Sequence, residues 1–334
     1  MNLDYTKKQN NGEEYLEVTG AKAPATFVIV PGKAGRLSVK SIAPHAFEGR
    51  TDIREIVLPD SVTKMGSFAF YRCGGLRKIT LTDTCTDYGD GAIRGCSELT
   101  DIEVFCGTPD FTIIRSMLRD SDAQLTFLIH LTLPDNDAGG DAPRGARGDA
   151  DVNICNDACL AFPSFTDVAT ENTYARQIQF DISGSGYGYR EVVGSKEINW
   201  REYDRLFGRA AIDSVETAAL VALSRLMYPY MLENPARTKY ESYLKDPDNS
   251  PRILSWLVGA EGAVSSVGAV GNVGAMDDEM RISRIKFIGE HELINANAFP
   301  DAIKLASEAG KTEIAALLME YSKRGEGSFD EFVL

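Results

Sequence analysis

Between residues 42 and 105 the apolar positions recur every 23 residues. In that register Ala46, Ala69 and Ala92 coincide, as do Phe47, Phe70 and Ile93. So do Ile53, Leu76 and Leu99; Ile56, Ile79 and Ile102; and Leu58, Leu81 and Val104. Ile56-x-Leu58 alternates apolar with variable positions, which is strand periodicity with one face buried. The Ala-Phe pair supplies an opposite wall. A unit of this length cannot bury its apolar face alone, so the period predicts coils stacked into a solenoid, with parallel strands about 4.8 Å apart. Upstream, residues 27–31 (F-V-I-V-P) align with 55–59, and 37–42 with 60–65. A degenerate coil therefore precedes the regular ones, with residues 32–36 as an inserted loop and 15–18 as a capping strand for the open end of the sheet.

After Cys106 the period stops. Residues 111–118 are compatible with a short helix or a strand. Residues 125–133 (L-T-F-L-I-H-L-T-L) have the β-branched and aromatic content of a strand. Residues 135–151 are rich in Gly, Asp, Ala and Pro and read as a flexible loop. Residues 175–183 alternate again, predicting a strand, and Gly184-Ser185-Gly186 reads as a hairpin turn into another strand over 189–193. From residue 199 helical spacing takes over. Residues 210–227 predict one Ala/Leu-rich helix. Asn234-Pro235 and Ser250-Pro251 each read as an N-cap followed by proline at the first helical position. Residues 259–275 read as a mobile loop and 280–288 as a helix. Residues 302–321 read as two helices broken at Gly310, which suits the left-handed position that ends a helix.

Charge narrows the functions open to this chain. Its 334 residues carry 49 Asp and Glu against 35 Lys and Arg, a formal net charge of -14. Long-range electrostatics therefore oppose nucleic acid and anionic membranes. The longest apolar runs fall far short of the roughly 20 residues that span a bilayer, so no membrane insertion is expected. The N-terminal residues lack the apolar core of a secretory signal. A cytoplasmic protein is expected, with the cell surface as the alternative if a signal has been removed.

Candidate chemistry is sparse. The cysteines are Cys73, Cys85, Cys96, Cys106, Cys155 and Cys159. Cys73 and Cys96 hold the same place in successive coils and are expected to stack as buried thiols. Cys155-x3-Cys159 has no second pair and no nearby histidine, and His45, His130 and His291 lie far apart in sequence. Neither a zinc site nor a Ser/His/Asp arrangement can be assembled from them. Gly184-Ser185-Gly186-Tyr187-Gly188 fails the G-x-G-x-x-G spacing, and Asn295 stands where the second histidine of H-E-x-x-H would follow His291-Glu292. Arg147-Gly148-Asp149 spells an integrin-recognition tripeptide, a match short enough to arise by chance. No catalytic residue, cofactor or metal is expected.

The segment I-R-E-I-V-L-P-D-S-V-T-K-M (53–65), followed by Phe68-Ala69-Phe70-Tyr71-Arg72-Cys73, resembles the BspA-type leucine-rich repeat family. Coils of that family have the pattern I-G-x2-A-F-x2-C-x2-L-x2-I-x-L-P-x-S-V-T. The likeness covers the first third of the chain. Arg50 stands in place of the repeat cysteine in the first full coil, and Thr82 and Phe105 replace the proline in later ones. Residues 302–321 resemble an ankyrin hairpin, without the T-P-L-H entry before it. These resemblances imply an α+β repeat protein: a short leucine-rich repeat solenoid with a parallel β-sheet and N-terminal cap (1–106), a β-rich middle segment (107–198) and a C-terminal α-helical, ankyrin-like region (199–334). Both families bind proteins through stacked repeats, which implies a non-enzymatic scaffold with a protein partner. Alternation leaves Glu55, Val57 and Pro59 outward in one coil, Lys78, Thr80 and Thr82 in the next, and Asp101, Glu103 and Phe105 in the third. That row varies while the inward row stays apolar, and it is the expected partner-binding surface. Two alternatives stay open. One is an enzyme with a site within 107–258, where Tyr187, Tyr189, Arg190, Trp200, Arg201, Tyr203 and Asp204 cluster. The other is a structural cell-surface protein.

Overall fold

Each period closes into one coil because its apolar positions face each other from a front strand and a back wall. The structure is a computed structural model and describes residues 3–132, 156–172, 177–259 and 276–327. The front strands are β3 (Phe27–Ile29), β6 (Glu55–Val57), β8 (Lys78–Thr82), β10 (Asp101–Cys106) and β11 (Leu125–Leu131), each parallel to the next. An antiparallel strand, β12 (Asn156–Phe162), closes this sheet in the order β12-β11-β10-β8-β6-β3. Behind it run β2 (Glu13–Ala21), β5 (Leu37–Ile42), β7 (Lys64–Met65) and β9 (Asp87–Tyr88), also parallel. β1 (Leu3–Asn10) folds back on β2 as a hairpin and caps that sheet. The inserted residues form β4 (Lys33–Ala34), a small hairpin against β5. These strands make a solenoid of about five turns.

The core is the repeat itself. Ile56, Ile79 and Ile102 point inward from the front strands, Phe47, Phe70 and Ile93 from the back wall, and all are buried. Phe47 and Phe70 stack in parallel at 5.4 Å between ring centroids. Cys73 Sγ donates to the Phe47 carbonyl (2.9 Å) and Cys96 Sγ to the Phe70 carbonyl (3.1 Å), so each buried thiol ties its coil to the one before. Adjacent coils approach so closely at the start of the back wall that a Cβ on Gly66 would lie 2.4 Å from the Pro44 nitrogen. Only glycine fits there.

The last coil differs. α1 (Thr112–Asp120), resolving the helix-or-strand alternative for 111–118, replaces the Ala-Phe wall. In inner coils the N–H groups of Phe68 and Phe70 donate to carbonyls of the next coil, Asp90 (3.2 Å) and Ala92 (2.8 Å). One period later Gly91 and Ile93 have no such coil. Both N–H groups donate instead to the Asp120 carboxylate at 3.0 Å, and the Tyr88 hydroxyl joins them at 2.8 Å. A side chain thus supplies the acceptors that a further coil would have supplied.

The strands expected over 125–133 and 175–183 are β11 and β14 (Gln177–Ser183), the latter paired antiparallel with β13 (Thr166–Asn172). The strand expected over 189–193 is not formed. Gly186–Glu191 is helix α2, and it ends the glycine run in place of a hairpin. The cause is long-range: the Arg190 guanidinium donates to Gly186 O (3.0 Å), one turn back, and onward to Pro163 O (2.6 Å) and Ala123 O (2.5 Å). The tripeptide at 147–149, Cys155, the loop expected at 135–151 and all but Gly259 of the loop expected at 259–275 lie outside the described residues.

Contacts divide the chain into two units. Residues 1–203 with 228–231 form the first, and 204–227 with 232–334 the second. α3 (Trp200–Arg205) spans the boundary in sequence. The second unit is helical: α4 (Phe207–Asp213), α5 (Val215–Met227), α6 (Asn234–Lys245), α7 (Ser250–Val258), α8 (Asp278–Glu290), α9 (Phe299–Glu308) and α10 (Thr312–Gly327). The single helix expected over 210–227 is two. Ser214 turns extended and its Oγ accepts the Thr217 N–H (3.0 Å), an N-cap that starts α5 afresh. α6 and α7 begin one residue earlier than expected, with Glu233 and Asn249 at the cap positions. Ser250 is buried, donating to Leu244 O (2.8 Å) and accepting from Asn295 N (3.0 Å). Asp204 anchors this unit's core, accepting from Arg225 (2.9 Å) and Tyr240 (2.7 Å). Gly310 has φ +71° and separates α9 from α10 as expected.

Candidate interaction face

The register of the front sheet brings the outward residues into straight cross-strand rows. Phe27, Glu55, Lys78, Asp101 and Thr126 form one, and Ile29, Val57, Thr80, Glu103 and Leu128 a second. Thr82, Phe105 and His130 form a third, with Asp157 of β12 opposite His130. Pro59, two residues beyond Val57, continues the outward side of its coil. All nine residues of the expected surface are thus partly or well exposed beside buried inward neighbours.

Glu103 organises the charges. It accepts from Lys78 Nζ (2.7 Å), Thr80 Oγ1 (3.2 Å) and His130 Nε2 (2.9 Å). His130 Nδ1 meets Asp157 Oδ1 at 2.9 Å, so the ring is clasped between carboxylates on two neighbouring strands. It also stacks on Phe105, with centroids 4.4 Å apart. Burial alone would push the Glu103 carboxyl up, but the hydrogen bonds from Lys78 and His130 outweigh it and hold it below the usual range. Burial pulls the Lys78 ammonium down, and Glu103, Glu55 and Asp101 more than restore it, leaving it raised. Such a face presents fixed, mutually paired charges on rigid strands. It can recognise a surface of complementary charge and shape. Among the described residues no group of His, Cys, Asp and Glu is arranged to hold a metal ion.

Sequence reasoning missed part of this face. Phe27 and Ile29 align with Glu55 and Val57, so their outward position was available from the repeat alignment. Thr126, Leu128 and His130 are implied by alternation in β11, but Thr126 lies 25 residues beyond Asp101, its partner in register. The helix inserted into that coil breaks the period. Nothing in the sequence signals Asp157, whose strand returns antiparallel.

The cluster considered for an enzyme is occupied with structure. The Tyr203 hydroxyl donates to Ala161 O (2.6 Å) and accepts from Ala161 N (2.9 Å). Tyr189 is buried edge-on against Tyr203, and Trp200 packs edge-on against Tyr230. Arg190 is spent on main-chain carbonyls and Asp204 on Arg225 and Tyr240.

Comparison with known proteins gives the class of the solenoid. Residues 35–119 match the BspA type leucine rich repeat region, in six copies. Among solved structures, the chain is similar to a leucine rich cell surface protein from Faecalibacterium prausnitzii, at 25% identity over 30% of this chain and 31% of that one, with a TM-score of 0.25. A leucine-rich repeat protein from Bacteroides ovatus is similar at 22% identity over 32% of this chain and 37% of that one, with a TM-score of 0.24. The chain thus spans about a third of the length of these two relatives. No curated protein matches it. No helix of the described residues is long and apolar enough to cross a membrane.

Proposed function

We propose that the protein is a non-enzymatic interaction scaffold that binds a protein partner through the front face of its solenoid. The residues that would carry binding are Glu55, Val57, Pro59, Lys78, Thr80, Thr82, Asp101, Glu103 and Phe105, joined by His130 and Asp157. One observation supports this above the others: a constant apolar inward row beside an outward row that varies in every coil. Side chains already held by their neighbours lose little freedom on binding. Four carboxylates against Lys78 and His130 favour a partner with basic groups opposite them. The hairpin of α9 and α10, with Gly310 at its turn, would serve as an ankyrin-like second binding element. Cys73, Cys85, Cys96 and Cys106 are buried in the solenoid core, and the compartment stays as the sequence suggests it, the cytoplasm or, alternatively, the cell surface.

The test is affinity capture from the source cell's lysate, comparing the intact chain with Glu55→Lys, Lys78→Glu and Asp101→Lys combined. Capture of a defined partner that is lost by the variant, with its circular dichroism and melting unchanged, is the expected result. Equal capture by both chains removes the front face from the reading and turns attention to the helical hairpin.

A further inference from the structure

In a chain of net charge -14, one edge of the solenoid is basic. Arg72, in the back-wall turn of one coil, donates its N–H to the carbonyl of Arg94 in the next (2.9 Å). Arg94 Nη2 lies 3.8 Å from Asp120, the last residue of α1, which follows Arg119. Arg115 stands one helical turn before Arg119, on the side of α1 opposite its buried Ile113, Ile114, Met117 and Leu118. Four arginines thus run from one coil across the next to the helix that closes the stack. Arg72, Arg94 and Arg119 are exposed and Arg115 is half-buried. Among the described residues no carboxylate pairs with Arg72, Arg115 or Arg119. The two turns (66–73 and 89–96) and α1 carry only Asp90 and Asp120 as acids. Asp120 is committed inward, to Gly91 N, Ile93 N and the Tyr88 hydroxyl.

The backbone bears strain to place Arg72. Its φ is +56°, in the left-handed region, whereas the aligned residues one coil before and after are glycines, Gly49 (φ +71°) and Gly95 (φ +77°). Its stem crosses the next coil at the residue that has no side chain: a Cβ on Gly95 would lie 3.2 Å from Arg72 Cγ. The guanidinium sits 5.1 Å over the Tyr71 ring, which fixes its plane. A strained backbone kept for one side chain points to a use for that side chain. Arg115 and Arg119 add a second such sign, because like charges at i and i+4 oppose the helix that carries them.

We propose that this arginine strip binds a short acidic segment of a partner protein. Every cation in the strip is arginine, whose planar fork matches a carboxylate through two parallel hydrogen bonds. Two coil steps of about 4.8 Å and one helical turn of about 5.4 Å give a path of about 15 Å, which about five extended residues span. Charge also limits the occupant's length. At physiological salt the field of a surface charge fades within about 8 Å. A short acidic segment confined to the strip meets the arginines alone. A long polyanion such as nucleic acid would run on over a chain of net charge -14 and be repelled. The strip is separate from the front face, where Glu55, Asp101, Glu103 and Asp157 favour a basic partner.

Fluorescence anisotropy of a labelled, end-capped hexaglutamate titrated with the full chain reads this directly. Saturable binding below about 1 mM at physiological ionic strength is expected, weakening as salt rises. Arg72→Gly combined with Arg119→Gln should raise the dissociation constant about tenfold or more. Arg72→Gly alone should leave the melting temperature unchanged, because glycine suits the left-handed backbone. The combined Glu55→Lys, Lys78→Glu and Asp101→Lys variant should keep the peptide, so this reading and that of the front face fail separately. Absence of saturation overturns the proposal. So does an affinity indifferent to the two arginine substitutions, or equally tight binding of a single-stranded oligothymidylate of matched charge, which would make the strip a general anion surface. A melting temperature lowered by Arg72→Gly also overturns it, by assigning the strained arginine to the fold.

Discussion

Asp120 shows how much of a repeat fold can hang on one side chain outside the repeat. Its two oxygens accept two main-chain N–H groups and a tyrosine hydroxyl, and its side chain is only 6% exposed. Burial and the neighbouring carboxylate hold the Tyr88 phenol well above its usual range, so it stays a donor. Asp120→Ala leaves those donors without acceptors in a dry site, and each buried unsatisfied group costs about 1–3 kcal/mol. We expect a loss of at least about 2 kcal/mol in urea unfolding. A midpoint equal to wild type would show that the last coil needs no cap. Acid tests the carboxylates more broadly. Hydrogen bonds from Lys196 and Thr112 hold Asp110 down to about 2, and Glu103 is also depressed. A depressed carboxyl stabilises the fold above its unfolded pKa and loses that contribution as pH falls through the folded value. Stability should therefore decline from about pH 4.5 downward, and less steeply in Glu103→Gln, which removes one of these groups. Denaturation midpoints measured between pH 7 and 3 give the slope. Identical slopes for both chains would count against the Glu103 network.

At the scale of elements, the coil is set by spacing and its exceptions by contact. Ile56, Ile79 and Ile102 could be assigned to one buried row because alternation and the period agree, and the structure keeps them at 0 to 1% exposure. Gly66 and Gly89 recur for an equally local reason: the backbone of the preceding coil occupies the space of a Cβ. Ala43, in the same place one coil earlier, is tolerated. Gly66→Ala should therefore cost about 1–3 kcal/mol by overpacking, visible as a lowered melting temperature, whereas Ala43→Gly should change it far less. Equal effects of the two substitutions would refute the close approach. What spacing could not supply was anything decided between distant segments. Residues 189–193 look like a strand by composition, yet 189–191 form the end of α2, with Arg190 donating to carbonyls that lie far away in sequence. The break at Ser214 has a local signal, Asp213-Ser214 ahead of an apolar run, but helical spacing on both sides of it masks the cap. His130 and Asp157 joined the candidate face only because a helix was inserted into one coil and a strand came back antiparallel.

On the scale of the first unit as a whole, the solenoid must be joined to the segments C-terminal to its last parallel strand, and Arg190 makes that join. Its guanidinium donates to Leu118 O (3.3 Å) and Ser121 O (3.2 Å) at the end of α1, and to Ala123 O just before β11. It reaches Pro163 O after β12 and Gly186 O in α2 as well, and lies 4.8 Å over the Phe165 ring. Among the described residues no carboxylate is hydrogen-bonded to it. Burial pulls the guanidinium down to about 10, with Asp122 opposing, so the charge survives at neutral pH on carbonyl dipoles. Only a planar fork with five donors can serve so many acceptors at once, and a lysine ammonium cannot. Arg190→Lys keeps the charge but strands several buried carbonyls. It should cost at least about 2 kcal/mol, with Arg190→Met no better, because charge is not what the site lacks in either case. Amide hydrogen exchange discriminates this from a general loss of stability. Protection should fall first within 118–123 and 163–186, while the amides of β6 and β8 keep theirs. Uniform loss across the solenoid would mean that its coils depend on the join. Unchanged exchange near 118–123 would mean that the join holds without Arg190.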